Sequence, residues 1–322
     1  MQILMRRLLF IIFISPAIGL SQDLDNLVGD LIYLTGKYVE PAAQATIYQS
    51  SSGWFKTAKA QELWDLDISF QANALFLPKN KRNISVSESE LVNLGIQGDQ
   101  TTANIPTALG GESDVVFEGF IEEDALEFDA PEGLNQSVFN YFQLQASLGL
   151  WKGTSLITRY SPKVKINKTH FQIFGVGLQH NISQWISNAD ATKFNLAALV
   201  SYSNYKVSDE FSPANLVLGT INSIDVKGES YLFTILGSKS VNKFDFTAAL
   251  GLTSSTFSYT IGGDGELLLL LLNTALTTLE DNETNLKGDL GVNYNFSKFS
   301  INSNVTFGRF TNVVLGFNYT IK

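Results

Sequence analysis

From Trp64 onward the chain alternates. Even positions read Trp64, Leu66, Ile68, Phe70, Ala72, Ala74 and Phe76, while odd positions read Asp65, Asp67, Ser69, Gln71 and Asn73. A period of two sends successive side chains to opposite faces of an extended strand, here one apolar and one polar. The pattern returns over 142–150, 194–202, 244–252, 286–296, 299–307 and 313–321. These runs exceed the about 5 to 6 residues usual in globular sheets. They match the about 9 to 11 residues a tilted strand needs to cross a bilayer. Their polar face carries mostly Asn, Gln, Ser, Thr and Gly instead of the Lys and Glu of a solvated exterior, which suits a barrel lumen. The sequence therefore predicts an all-β fold, a transmembrane antiparallel up-and-down β-barrel of about 10 strands.

The expected strands are 64–77, 138–150, 154–161, 168–181, 193–205, 229–239, 243–259, 284–296, 299–308 and 312–321. Residues 79–137 read as one long loop or as hiding two further strands near Val115 to Phe120, which would make twelve; a count of 12 to 14 strands is the alternative. Short connections at 151–154, 239–242 and 297–299 read as periplasmic turns. The long segments 79–137, 206–228 and 260–284 read as extracellular loops, following the short-inside, long-outside rule of outer-membrane barrels. The connection 182–192 is longer than a turn and is expected to hold a short interfacial helix. Trp64, Trp151 and Trp185 fall on the turn side, where interfacial tryptophans belong. An even strand count places both termini there as well.

The chain opens MQILMRRLLFIIFISPAIGLSQ. Arg6 and Arg7 precede a short apolar core that Pro16 breaks before small residues, which is the anatomy of a secretory signal cleaved after Ser21. The expected organisation is a signal peptide 1–21, an N-terminal plug or hatch 22–63 and a barrel 64–322. Leu24, Leu27, Val28, Leu31 and Leu34 lie at helical spacing and predict a helix ending near Gly36. Tyr38, Pro41, Trp54 and Phe55 follow in a stretch rich in small residues, and large aromatic residues there are better buried in a lumen than left on a tail. The chain has no cysteine and hence no disulfide. Its 22 basic against 31 acidic side chains, net −9, exclude nucleic acid as a partner.

"GWFKTA" ahead of the first strand, "SLGLWKGTSLITRYSP" and "GVGLQHNISQWI" together resemble FadL-type outer-membrane proteins. Within that group the chain is most similar to the small FadL-like barrels of Bacteroidetes, although the family fold has fourteen strands. The resemblance implies a Gram-negative outer-membrane location and passive, energy-independent uptake of a hydrophobic ligand such as a fatty acid.

Candidate sites follow from the pattern. Leu267, Leu268, Leu269, Leu270, Leu271 and Leu272, in an outer loop, read as an apolar landing site or as a loop helix packed on the mouth. Arg159 faces the lumen and is suited to a ligand carboxylate or to a neighbouring acid. Ile157, Leu199, Leu232 and Leu236 are inward apolar residues able to line a path. Asp65 and Asp67 share a face and are expected to touch the plug. His170 and His180 stand about 33 Å apart on one strand and cannot share a metal. They read as markers of the outer and inner ends of a crossing. "GVG" between them lacks the context of a nucleotide loop; it reads as a kink or as room for the plug. No enzyme motif is present, and no cofactor or metal is expected. The expected function is a channel for small hydrophobic molecules, with outer-membrane lipid and the barrel-assembly machinery as partners. The alternative is a structural or surface-interaction barrel with a closed lumen.

Overall fold

The computed structural model describes residues 15–321 except 122, 167–168, 187–193 and 280–281. A long helix α1 (Ser15–Ser51) precedes β1 (Leu66–Phe76). Five short strands follow: β2 (Asn83–Ser87), β3 (Leu94–Ile96), β4 (Thr102–Pro106), β5 (Val116–Ile121) and β6 (Asp124–Asp129). Next come β7 (Val138–Gly149), β8 (Thr154–Ile166), β9 (Thr169–Asn181), β10 (Phe194–Leu216), β11 (Gly219–Val241) and β12 (Phe244–Asp264). Helix α2 (Glu266–Leu276) leads to β13 (Asn282–Phe296), β14 (Phe299–Phe307) and β15 (Thr311–Ile321). Ten of the strands, β1 and β7 to β15, form a closed antiparallel barrel in which β15 pairs with β1 and β1 with β7.

Burial is inverted relative to a water-soluble protein. On β1 the polar Asp67, Ser69, Gln71 and Asn73 are buried, whereas Ile68, Phe70 and Phe76 are exposed. The exposed apolar set continues around the barrel through Phe142, Leu144, Phe174, Phe233, Leu250, Leu286 and Leu315. A closed apolar ring of this kind is compatible with lipid and not with water. Near one mouth the ring is reinforced by a row of packed aromatics, Phe244, Tyr294, Phe296, Phe299 and Phe317, with neighbouring centroids 4.9 to 5.9 Å apart. Trp64, Trp151 and Trp185 are all exposed at that same mouth. It is the end closed by the short connections after β7, β11 and β13, and is called the turn mouth below. Among the described residues no helix is long and apolar enough to cross a membrane.

The opposite, loop mouth is where the structure departs most from the sequence-based expectation. Residues 206–228 are not a loop: β10 and β11 continue as one hairpin through them, with a register shift between Glu210 and Ala214. Together with β12 they project beyond their neighbours as a wall. The inward side of this projection is apolar, with Tyr205, Ile224, Val226, Phe257 and Ile261 buried. The segment 260–284 is likewise the end of β12, α2 and the start of β13. The stretch 79–137 holds five strands, but they form two small sheets, β2–β4 and β3–β5–β6, outside the barrel. The predicted pair near Val115 is therefore β5 with its outer partners, and the barrel count stays at ten. Together these pieces make a cap over the loop mouth, packed around the first half of α1.

Helix α1 does not end near Gly36 but runs to Ser51 through Gly36 and Pro41. The leucine stripe marks only the half that lies in the cap. Beyond it, from Ala43, the sequence AQATIYQSS has no exposed polar face to show a period, because it is buried all round. The expected leader 1–21 falls outside the described residues as far as residue 14, and its last residues continue the backbone of α1.

Candidate functional site: a chain threaded through the lumen

The direction of threading reverses the sequence-based placement of the N-terminal segment. In the cap, Asp30 accepts hydrogen bonds from the backbone N–H groups of Val92, Asn93 and Leu94 at 2.7 to 3.1 Å, fixing α1 to β3. The Tyr38 hydroxyl donates to Asp209 and to the Glu132 carbonyl. Burial and the adjacent Asp209 carboxylate push this hydroxyl well above the usual tyrosine range, so it stays a donor. Tyr48 packs on Phe310 in the β14–β15 connection. Lower still, Lys56 pairs with Asp67, Lys59 pairs with Asp245 at 2.8 Å, and Trp64 donates its N–H to the Gly149 carbonyl at the turn mouth. The N-terminal segment thus enters at the loop mouth, runs down the lumen and leaves at the turn mouth to begin β1. It is not a hatch on the turn side, and α1 does not share that side with the strand ends.

The wall holds this thread carbonyl by carbonyl. A helix leaves its last four carbonyl groups without partners and carries partial negative charge there. Arg159 on β8 donates to the carbonyls of Ser50 and Ser52 at 3.2 and 2.7 Å, and Lys287 on β13 donates to that of Ser51 at 2.8 Å. Five strand steps separate β8 from β13 either way around the ten-strand ring, so the two cations grip the helix end from opposite walls. The helix closes with Gly53 in the left-handed region at φ +71°. Below it, Gln71 takes the Gly53 carbonyl, Thr247 that of Lys56, Gln179 that of Thr57 and Asn181 that of Ala58. An irregular buried backbone needs such partners. That requirement accounts for a lumen face of amides and hydroxyls.

Trp54 is fully buried at the centre, with the Arg159 guanidinium 4.2 Å from its ring and its indole N–H donated to the Ser50 carbonyl. The glycines of "GVG" make the space for it. A Cβ on Gly175 would lie 2.8 Å from the indole, and one on Gly177 would lie 3.1 Å away.

The predicted site residues are placed as follows. Trp54 and Phe55 lie in the lumen, and Tyr38 and Pro41 lie on α1. Ile157, Leu199, Leu232 and Leu236 gather around Trp54, Phe55 and Ala58 as a small core. Arg159 is buried, and its partners are helix carbonyls and Gln145, not an acid. Asp67 meets the thread through Lys56 and also accepts from Thr320. Of the leucine run, Leu268 and Leu272 are buried against the cap while Leu267 and Leu270 are exposed. His180 contacts Thr154 and Gln184 and stacks on Trp185 at the turn mouth. His170 pairs in register with Lys165 and Ser208 at the other end of β9. No group of three or more metal-binding side chains occurs among the described residues. Lys287, buried with Asp289 at 3.0 Å, went unremarked from sequence. Its signal is a lysine and an aspartate two residues apart on the lumen-facing parity of one strand.

A family model described as "Family of unknown function (DUF6588)" matches residues 1–321. No curated protein matches the chain. Among solved structures the chain is similar to the translocator domain of the autotransporter NalP from Neisseria meningitidis, at 12% identity and a TM-score of 0.39, covering 88% of this chain and 99% of that one. It is also similar to Ail, the attachment invasion locus protein of Yersinia pestis, at 11% identity and a TM-score of 0.29, covering 80% and 99%. The outer membrane protease OmpT from Escherichia coli gives 8% identity and a TM-score of 0.29, covering 84% and 100%.

Proposed function

The chain belongs to DUF6588, a family of unknown function, and we propose that this member is an outer-membrane barrel sealed by its own N-terminal segment, whose work is done by the cap it holds at the cell surface. The observation that carries this reading is the thread itself. Eight carbonyls from Ser50 to Ala58, all but that of Phe55, are engaged by the barrel wall or its cations. A movable hatch would leave these buried donors and acceptors unpaired each time it opened. The apolar ring, the aromatic girdle and the turn-side tryptophans support an outer-membrane location with the loop mouth outward.

The cap has a chemical character of its own. Residues 79–137 hold 12 acidic and 3 basic side chains, a net of −9, which equals the net charge of the whole chain. The remainder is balanced at 19 of each sign. Uptake of a hydrophobic molecule, which the FadL-type resemblance implies, requires the thread to leave the lumen, so the closed-lumen alternative is the better supported of the two.

Three measurements test this. Reconstituted into planar bilayers, the protein should show no steady conductance, and lipid vesicles containing it should take up no fatty acid beyond the protein-free rate. Saturable uptake or a stable open channel would sink the proposal. Because the chain has no cysteine, Asp25→Cys and Lys298→Cys each give a unique thiol. An impermeant maleimide should label the first on intact cells and the second only after the outer membrane is breached.

A further inference from the structure

Between α1 and the top of the barrel runs a narrow apolar slot that the sealed-lumen reading does not use. Val39, Ala42, Ala43, Thr46 and Gln49 supply one side. Their spacing places them on a single helix face about 15 Å long. Opposite them stand Leu75, Leu77, Leu109, Leu134, Phe139 and Phe171. The small alanines leave a cavity of about 70 Å³, several times the about 10 to 15 Å³ that one water requires. Its walls offer water few partners.

Two observations define what would fill it. At the inner end, Gln49 is 2% exposed and its side-chain Nε2 has no hydrogen-bond partner among the described residues, so a buried donor points into the slot. At the outer end, Leu134, Thr169 and Asp209 are shared with a wider vestibule of about 280 Å³ that also carries Glu112, Glu132 and Glu210. Among the described residues no Lys, Arg or His lines either space. An anionic head lodged at the Gln49 end would lie buried with no cation among the described residues that line the slot, which is strongly disfavoured. A neutral acceptor would satisfy Gln49 while its chain fills the slot.

We propose that the slot binds a slender uncharged aliphatic molecule with a hydrogen-bond acceptor at its leading end, such as a long-chain alcohol or ketone, and rejects the corresponding fatty acid. The site needs no movement of α1 and stands apart from the sealed lumen.

The test uses the full chain in lipid nanodiscs with two photoreactive probes of one chain length, an alcohol and a carboxylic acid, and adducts mapped by peptide mass spectrometry. The alcohol should label the 39–49 peptide saturably, and the acid about tenfold less. Ala43→Leu, which fills the slot, should abolish that labelling while the barrel keeps its folded, heat-resistant gel band. Ala42→Val serves if Ala43→Leu does not fold. Gln49→Leu should erase the preference for the alcohol over a chain-matched hydrocarbon probe. Equal labelling by the acid, or labelling of 39–49 that survives the filled slot, overturns the proposal, as does a slot that takes up none of the probes and so holds water alone.

Discussion

Strand β12 crosses two environments without changing its parity. Over 244–252 its even positions, Phe244, Phe246, Leu250 and Leu252, are apolar and exposed, and its odd positions include the buried Asp245, Thr247 and Thr253 just beyond. Ten residues on, the same outward parity carries Thr256, Ser258 and Thr260, and the inward parity carries Phe257, Tyr259 and Ile261, all buried. β11 inverts at the same level, from outward Phe233 and Tyr231 to outward Glu229 and Lys227. The backbone geometry is continuous through the change. What differs is the solvent outside and, consequently, what the inside must be. Within the lipid band the core is polar because it serves a threaded backbone. Above it the core is apolar because it faces a helix and two small sheets across water-excluding contacts.

Breaking each half calls for opposite substitutions. The largest effects should come from the two cores. Lys287→Met leaves the Asp289 carboxylate, fully buried with Thr306 as its other donor, without its cation. Loss of one partner from such a pair costs about 3 to 5 kcal/mol, read as the unfolding free energy in bilayers. Phe257→Ala in the cap should cost a similar about 3 to 5 kcal/mol through its cavity, but should loosen protection from hydrogen exchange in the cap before the barrel. Next, an arginine in place of Leu250, which is 67% exposed, should cost about 2 to 4 kcal/mol if lipid covers it. Ser258→Arg, on the same strand and face, should stay within about 0.5 kcal/mol. Equal costs at these two positions would remove the membrane boundary drawn between them. Asp30→Ala should cost about 1.5 to 3 kcal/mol through its charged hydrogen bonds, visible as faster exchange at Val92, Asn93 and Leu94.

The ten crossing strands were legible because their two environments lie on opposite faces, which stamps a period of two on residues such as those of β1. The inversion in β12 was present in the same letters, at Phe257, Tyr259 and Ile261. It shows only when the two parities are compared along one strand, and without that comparison 206–228 reads as loop. The lower half of α1 left no trace because burial on every side erases helical periodicity. Arg159 was found by its parity, but its partners were not, since carbonyl groups have no sequence identity. The glycines at 175 and 177 gained their meaning only once Trp54 stood against them.

The threaded segment also constrains the order of events in assembly. The thread lies inside a ring whose seam, β1 against β15, joins the strand just after the thread to the final strand of the chain. A closed ring cannot be laid around an inner segment from outside; it either closes last, with the helix already seated, or has the segment ahead of β1 drawn through it afterwards. Either way the seam and the thread share one kinetic step, so a lesion in the helix grip would be felt as slow or failed circularisation as well as in the strength of the finished barrel.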